Sequence, residues 1–155
     1  MIKKIISGGQ TGADRAGLDI AIVLNIPHGG WIPKGRKTED GPLSPKYHLK
    51  ETSSAKYPPR TERNILDSDG TLIIAYGPLK KRGGTALTYR LAVDKHYKPC
   101  KYIDLNQTTI GLAARVVANW IKEHSIEVLN VAGPRGSREP NIYEDVCDLL
   151  ELVVQ

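Results

Sequence analysis

The sequence predicts a doubly wound α/β fold, in which a mainly parallel sheet of about five strands lies between helices on both faces. Short apolar runs typical of strands alternate along the chain with segments whose apolar residues repeat at helical spacing. Glycine-rich turns follow three of the strands. The length of 155 residues is typical of one domain with a substantial core, so we expect a single domain over residues 1–155.

The first part of the chain contains a strand, a helix and a long irregular stretch. Residues 2–7 form an apolar strand, and an amphipathic helix follows from about 12 to 24. Residues 26–32 indicate a short second strand, although Pro27 and two glycines interrupt it. The irregular stretch that follows contains five of the ten prolines. Loops of this length are usually functional or disordered.

The rest of the chain returns to alternating helices and strands. A short helix over 60–67 leads to the most apolar strand, 71–76, which is typical of a central parallel strand covered on both faces. The elements predicted after it are a helix that opens at a glycine turn, a strand over 101–105, a helix capped by Thr108 or Thr109, a strand over 128–132 and a final helix over 142–153.

Three turns are the main candidates for a binding site. They consist of Gly8, Gly9, Gln10, Thr11, Gly12, Ala13 and Asp14 in the first, Gly83, Gly84 and Thr85 in the second, and Gly133, Pro134, Arg135, Gly136 and Ser137 in the third. All three follow strands of a parallel sheet, so they meet at the edge where such folds bind ligands. Glycines allow close approach to the backbone, and helix N-termini favour anions. We therefore expect an anion or phosphate site, which a side chain at Gly9 would fill.

Cationic side chains add to this expectation. The net charge is +5, and most of the excess lies between residues 33 and 60. Lys34 and Arg36 are expected to close over the same sheet edge. Arg135 is the strongest ligand candidate, because a planar guanidinium can bind an oxyanion with two hydrogen bonds. Arg60, which precedes the central strand, fits either a ligand site or an exposed helix start.

Several classes of site are not expected. The first turn lacks the Gly-Lys-Ser/Thr of a P-loop, and it does not match the dinucleotide pattern GxGxxG. The histidines and the two cysteines, Cys100 and Cys147, show no metal-ligand spacing, so we expect no metal site and no disulfide. No catalytic residue is predicted. Asp14, Glu62 and Asp69 are the only carboxylates that we place near the sheet edge.

Composition limits the cellular setting. No apolar run is long enough to cross a membrane, and the amino terminus leads directly into a strand, so we expect a cytoplasmic protein. The basic surface could attract nucleic acid, but Tyr47 and Tyr57 do not form the interleaved pattern of a base-stacking platform. An anionic small molecule is therefore the expected partner.

Several motifs carry a family resemblance over essentially the whole chain. They are Gly-Gly-Gln-Thr-Gly-Ala-Asp-Arg-Ala-Gly-Leu-Asp at 8–19, Gly-Trp-Ile-Pro-Lys-Gly-Arg at 30–36, Arg-Thr-Glu-Arg-Asn at 60–64, Ser-Asp-Gly-Thr-Leu-Ile at 68–73, Gly-Gly-Thr-Ala-Leu-Thr at 83–88 and Asn-Val-Ala-Gly-Pro-Arg at 130–135. In this order they resemble the molybdenum cofactor carrier family. That family is similar to the Rossmann-like folds of the lonely-guy phosphoribohydrolases and DNA-processing protein A.

The resemblance implies a Rossmann-like three-layer carrier that binds the anionic molybdopterin cofactor, protects it from oxidation and delivers it to molybdoenzymes. It also implies a homo-oligomer. By matching position, the three turns would line the cofactor site, and Lys34 and Arg36 would contact the molybdate oxygens or the pterin phosphate.

The alternative is an enzyme or sensor that acts on an AMP-like nucleotide, as the phosphoribohydrolases do. Those enzymes carry a glutamate three residues after the threonine of a Pro-Gly-Gly-x-Gly-Thr pattern. This chain has Thr88 at the corresponding place. A threonine cannot serve as the carboxylate acid or base, so we expect no phosphoribohydrolase activity.

Overall fold

The computed structural model describes residues 1–155 and confirms the α/β fold. Along the chain, its elements are β1 (Lys4–Ile6), α1 (Ala13–Val23), β2 (His28–Gly29), β3 (Trp31–Ile32), β4 (Lys50–Glu51), α2 (Tyr57–Leu66), β5 (Gly70–Ala75), α3 (Gly84–Arg90), β6 (Cys100–Asp104), α4 (Ile110–Glu123), β7 (Val128–Ala132) and α5 (Ile142–Val154). The α3 helix continues directly into a π-helical segment, Leu91–Lys95. None of the helices combines the length and apolar character that crossing a membrane requires.

Five parallel strands form the main sheet, in the order β2-β1-β7-β5-β6. The predicted number of strands is thus confirmed. Strand β5 pairs with β6 on one side and with β7 on the other, and all six of its residues are buried. This interior place explains its continuous apolar run, because both faces of the strand are covered by helices.

The helices form a layer on each face of the sheet. Helix α5 contacts both α1 and α4, whereas α2 contacts α3. The connection through α1 leads from β1 to the β2 edge, and the connection through α3 leads from β5 to the β6 edge. Right-handed crossovers that run in opposite directions place their helices on opposite faces. The main core, a cluster of 19 buried residues, includes residues of the sheet together with α1, α4 and α5.

Two helix starts show how local chemistry sets the boundaries. Thr109 caps α4, where its Oγ1 accepts a hydrogen bond of 3.2 Å from the Leu112 amide, so one of the two predicted caps is confirmed. Helix α2 begins at Tyr57, three residues earlier than predicted. Pro58 and Pro59 lie in its first turn. Backbone N–H groups there have no acceptor within the helix, so proline, which lacks the N–H, is tolerated.

The second predicted strand, 26–32, is instead two strands in different sheets. Strand β2 pairs with β1, whereas β3 pairs with β4 in a separate two-stranded parallel sheet that the sequence did not indicate. Gly30 separates the two with a φ of 129°, a backbone conformation that L side chains rarely adopt. A Cβ there would lie 2.2 Å from the Ser7 carbonyl oxygen, so only glycine fits this crossing.

The predicted irregular stretch packs over its own small core. Leu43, Tyr47 and Leu49 bury their side chains against Leu18 of α1 and Ile32 of β3. The segment is therefore an ordered part of the fold. It lies beside the first glycine turn, where it determines which polar groups of that turn remain available.

Candidate ligand-binding cleft

A cleft with a volume of about 370 Å³ opens at the carboxyl edge of the sheet. The loops after β1, β5 and β7 form its walls together with the start of α2. The chain leaves β1 and β5, which lie on either side of β7, toward opposite edges of the sheet. In doubly wound folds, ligands bind at the carboxyl edge where the connections diverge in this way.

The structure brings residues of all three glycine turns to this cleft. Those of the predicted set that line it are Gly8, Gln10, Asp14, Gly83, Gly84, Thr85, Gly133, Pro134 and Arg135. Gly83 adopts a φ of 100° before α3, and no side chain caps the first turn of that helix. Gly133 allows close packing, since a Cβ there would lie 2.3 Å from the Ile74 carbonyl oxygen.

The remaining residues of the first turn face other parts of the protein. A Cβ at Gly9 would lie 2.9 Å from Leu43 Cδ2, in the small core under the irregular stretch. The expectation that a side chain at Gly9 would fill the anion site is therefore wrong. Gly12 packs against the backbone of the third turn, and the Ala13 amide donates a hydrogen bond of 3.3 Å to the Pro134 carbonyl.

Glu39 occupies the polar groups that join the first and third turns. Its carboxylate accepts hydrogen bonds from the Thr11 hydroxyl, from the Ser137 hydroxyl at 2.6 Å and from the Ser137 amide at 3.2 Å. Partial desolvation alone would raise the pKa of Glu39, but these hydrogen bonds and the charge of Arg135 hold it below its usual value. The anion that Thr11 and Ser137 bind is therefore the carboxylate of Glu39 and not a ligand.

Lys34 and Arg36 do not reach the cleft. Lys34 is exposed on the irregular stretch. The Arg36 guanidinium donates hydrogen bonds to the carbonyl oxygens of Leu43 at 3.0 Å, and of Ser44 and Tyr47 at 2.8 Å each. The expectation that these cations close over the sheet edge is wrong. The guanidinium of Arg36 instead stabilises its own loop.

Charge in the cleft is predominantly positive. Five cationic side chains line it, against two carboxylates. The cations are Arg60, Lys80, Arg82, Arg135 and Arg138, and the carboxylates are Asp14 and Glu139. A concave surface with an excess of one sign attracts ligands of the opposite sign.

The deepest of these charges form a loose buried pair. Arg60 is 8% exposed and Asp14 is 9% exposed, with 4.0 Å between Arg60 Nη1 and Asp14 Oδ2. Arg60 Nη1 also donates a 2.7 Å hydrogen bond to the Gly8 carbonyl. Burial raises the pKa of Asp14 to about 6, although the charge of Arg60 opposes the shift. Burial likewise lowers the pKa of Arg60, so neither charge is fully compensated by the other.

Tyr57 positions the inner cations. The guanidinium carbons of Arg60 and Arg135 lie 5.1 Å and 5.5 Å from the centre of its ring. Contacts of this kind hold a cation electrostatically while leaving its N–H donors available. The guanidinium of Arg135 donates no hydrogen bond to the protein, in contrast to that of Arg36.

Several lining residues were not predicted from the sequence. They are Tyr57, Tyr76, Lys80, Arg82, Thr88, Tyr102, Asn130, Arg138 and Glu139. A signal for some of them was present, because Lys80 and Arg82 directly precede the second turn and Arg138 directly follows the third. The tyrosines and Asn130 belong to separate elements, and only the folded sheet shows that they converge.

Two of the three candidate carboxylates lie elsewhere. Glu62 binds Lys95 Nζ at 2.6 Å and His96 Nε2 at 2.7 Å, on the α2 side that faces the π-helical segment. Asp69 accepts hydrogen bonds from the amides of Glu127 and Val128, at the amino ends of the strands. Only Asp14 lies at the carboxyl edge. Thr88 lines the cleft, and its hydroxyl donates to the Gly84 carbonyl at 2.9 Å.

Comparison with known proteins identifies the family. The sequence profile of the circularly permutated YpsA SLOG family matches residues 5–154. The chain belongs to this family. A crystal structure from Syntrophus aciditrophicus SB, described as a "putative molybdenum carrier protein", is similar to this YpsA SLOG protein with a TM-score of 0.95 and 52% sequence identity. The similarity covers 99% of this chain and 96% of that one. No curated protein matches the chain.

Proposed function

We propose that this protein is a molybdenum cofactor carrier, which binds the anionic molybdopterin cofactor as cargo in the cleft. The observation that carries the proposal is the excess of cations at the carboxyl edge of the sheet, with the guanidinium of Arg135 free of hydrogen bonds to the protein. The Syntrophus protein, whose chain is 52% identical, is named a molybdenum carrier, which supports a cargo that contains molybdenum.

The cleft matches the chemistry of a phosphate-bearing pterin. Its volume of about 370 Å³ falls in the range of small-molecule sites. Arg60 and Arg135 would bind the phosphate or the metal-bound oxygens, since paired N–H donors suit oxyanions. The chain has no group of three or more His, Cys, Asp or Glu side chains that could hold a metal ion, so the metal would enter as part of the cargo.

In this role the residues bind and shield without carrying out chemistry. The walls of the cleft would exclude solvent from the cofactor and slow its oxidation. The helix that opens at Gly84 would add backbone N–H donors. Thr88, at the place where the hydrolases carry a glutamate, has its hydroxyl engaged with the Gly84 carbonyl.

The second candidate is an enzyme or sensor for an AMP-like nucleotide. The observation that favours it is Asp14, whose pKa is raised to about 6 within the cleft. A carboxyl of that pKa could exchange a proton near neutral pH. Asp14 is also engaged with the Gln10 amide and Arg60, which leaves its carboxylate less available to a substrate. The carrier therefore remains the preferred proposal.

Delivery requires further partners and a cellular setting. We propose molybdoenzymes as recipients and a cytoplasmic location, in which the free thiols of Cys100 and Cys147 would stay reduced. We also propose a homo-oligomer. Leu112 and Val116 of α4 are 55% and 43% exposed, and such apolar side chains are suited to self-association.

The proposal is tested by anaerobic titration of the purified protein with molybdenum cofactor, followed by gel filtration and metal analysis. We expect molybdenum to elute with the protein and to resist displacement by excess AMP. Saturable AMP binding without molybdenum in the protein fraction would contradict the carrier proposal and favour the nucleotide alternative.

A further inference from the structure

The five cations of the cleft lie at two depths. Arg60 and Arg135 form an inner pair around the Tyr57 ring, and Arg60 is almost completely buried. Lys80, Arg82 and Arg138 form an outer group at the mouth, where all three are exposed. The outer group belongs to the loops after β5 and β7, which are paired strands. The two loops thus present their cations to the same opening.

The outer group has no partner within the protein. None of its three side chains forms an ion pair or donates a hydrogen bond, whereas the ion pairs of the chain hold other cations, such as Arg15 and Lys95. Like charges that gather without a counter-ion repel one another and slightly destabilise the folded state. An anion bound at the mouth would remove this cost.

The carboxylates of the cleft cannot supply that anion. Asp14 lies inside, where Arg60 is its nearest cation. Glu139 is the one remaining carboxylate in the lining, against the three positive charges of the outer group. The mouth therefore keeps a net positive charge after the inner pair has taken its own ligand group.

We propose that the ligand carries two anionic groups, one bound by the inner pair and a second bound at the mouth by Lys80, Arg82 and Arg138. This inference rests on the proposed function and names the class of cargo. The cargo is a compound with a diphosphate linkage, as in a nucleotide-linked form of the cofactor, rather than a monophosphate. The outer group would bind the second phosphate through charge-assisted hydrogen bonds.

The test uses AMP and ADP as probes, titrated calorimetrically into the full chain. We expect ADP to bind about tenfold or more tightly than AMP, as expected for at least one added charge-assisted hydrogen bond. In the double variant Lys80→Gln/Arg82→Gln the ratio of the two affinities should fall close to one. The control, Arg115→Gln/Lys122→Gln, removes the same charge from exposed positions of α4 and should keep the wild-type ratio.

Three results would overturn the inference: equal affinities in the wild type, no binding of either nucleotide, or an unchanged ratio in the Lys80/Arg82 variant. The molybdenum elution experiment on the same wild-type protein separates this failure from failure of the carrier proposal. A protein that carries molybdenum without preferring ADP would keep its proposed function and lose only the second anionic group.

Discussion

At the scale of single residues, hydrogen-bond partners decide which cations can bind a ligand. Arg36 donates most of its N–H groups to the carbonyl groups of its own loop and does not line the cleft. Arg135 donates none and lies over the Tyr57 ring, facing the cleft. The two arginines therefore have opposite roles, although both lie beside glycines in the sequence.

Substitution of Arg135 separates binding from stability. We expect Arg135→Ala to weaken cofactor binding by about 1.5–3 kcal/mol, because a charge-assisted hydrogen bond to the ligand is lost. The free energy of unfolding should change by less than about 0.5 kcal/mol, as at a surface position. Equilibrium binding and urea denaturation measure the two effects.

Arg36→Ala is the matched control for this substitution. It should lower the free energy of unfolding by about 2 kcal/mol, because three carbonyl groups of the loop, two of them partly buried, lose their donors. An Arg135 variant that loses stability while binding the cofactor normally would contradict the assignment of the two roles.

Asp14 makes stability depend on pH. Its pKa of about 6 in the folded state lies above the ordinary value of 3.8, so the folded protein binds more protons than the unfolded chain between these values. The contribution of Asp14 to stability is therefore largest below pH 4 and declines as the pH rises to about 6. Asp14→Asn should remove this decline and be more stable than the wild type at pH 8.

Urea denaturation between pH 4 and pH 8 measures the effect of Asp14. The Asn side chain can still accept the hydrogen bond from the Gln10 amide, so the substitution changes charge more than shape. A pH profile identical in the two proteins would show that burial does not raise the pKa of Asp14.

At the scale of elements, the irregular stretch after β3 is held to the first and third turns through neighbouring carboxylates. Glu39 binds Thr11 and Ser137, and Asp40 accepts hydrogen bonds of 2.8 Å and 3.1 Å from Arg15 of α1. The hydrogen bonds from Arg15 and Thr38 lower the pKa of Asp40 to about 2, so its charge persists at all physiological pH values. These contacts join the loop to the outer side of the turns.

Removal of the Glu39 carboxylate should loosen this connection. We expect Glu39→Ala to lower the free energy of unfolding by about 1 kcal/mol and to accelerate amide hydrogen exchange in residues 34–44. Glu123→Ala, at an exposed position of α4 without an ion pair, is the control. Unchanged exchange in the loop would show that Glu39 does not hold it.

The elements also show what the sequence can and cannot predict. Strand β7 has the predicted bounds and β5 lies within one residue of them, because buried parallel strands leave continuous apolar runs. Strand β4 was not predicted, and β2 and β3 were predicted as one strand, since two-residue strands have no periodicity to detect. For the site, the sequence places the turns after strands, but not the direction of each side chain. For that reason the sequence does not show that Gly9 and Arg36 face away from the cleft.

At the scale of the whole molecule, charge is distributed unevenly. The chain has a net charge of +5, and the cleft has five cations against two carboxylates. The outer cations are exposed, so salt can screen them, and screening acts over about 10 Å at 0.1 M ionic strength. Ligand affinity should therefore fall steadily as sodium chloride is raised, and more weakly in the Lys80→Gln/Arg82→Gln variant. An affinity independent of salt would contradict an electrostatic site.

Binding of the cofactor in the cleft can be tested with a matched pair of glycine substitutions. Gly84 begins α3 at the cleft wall, and a Cβ there meets no atom within 4 Å. Gly111 has the same open surroundings near the start of α4, outside the cleft. Leucine at either site should leave the fold intact, because leucine favours helices more than glycine does.

The deciding measurement is the molybdenum that elutes with each protein after anaerobic loading with the cofactor. We predict near-complete loss in Gly84→Leu, whose side chain would enter the cleft, and wild-type loading in Gly111→Leu. Equal loading of both variants, with both folded by circular dichroism, would contradict cofactor binding in the cleft.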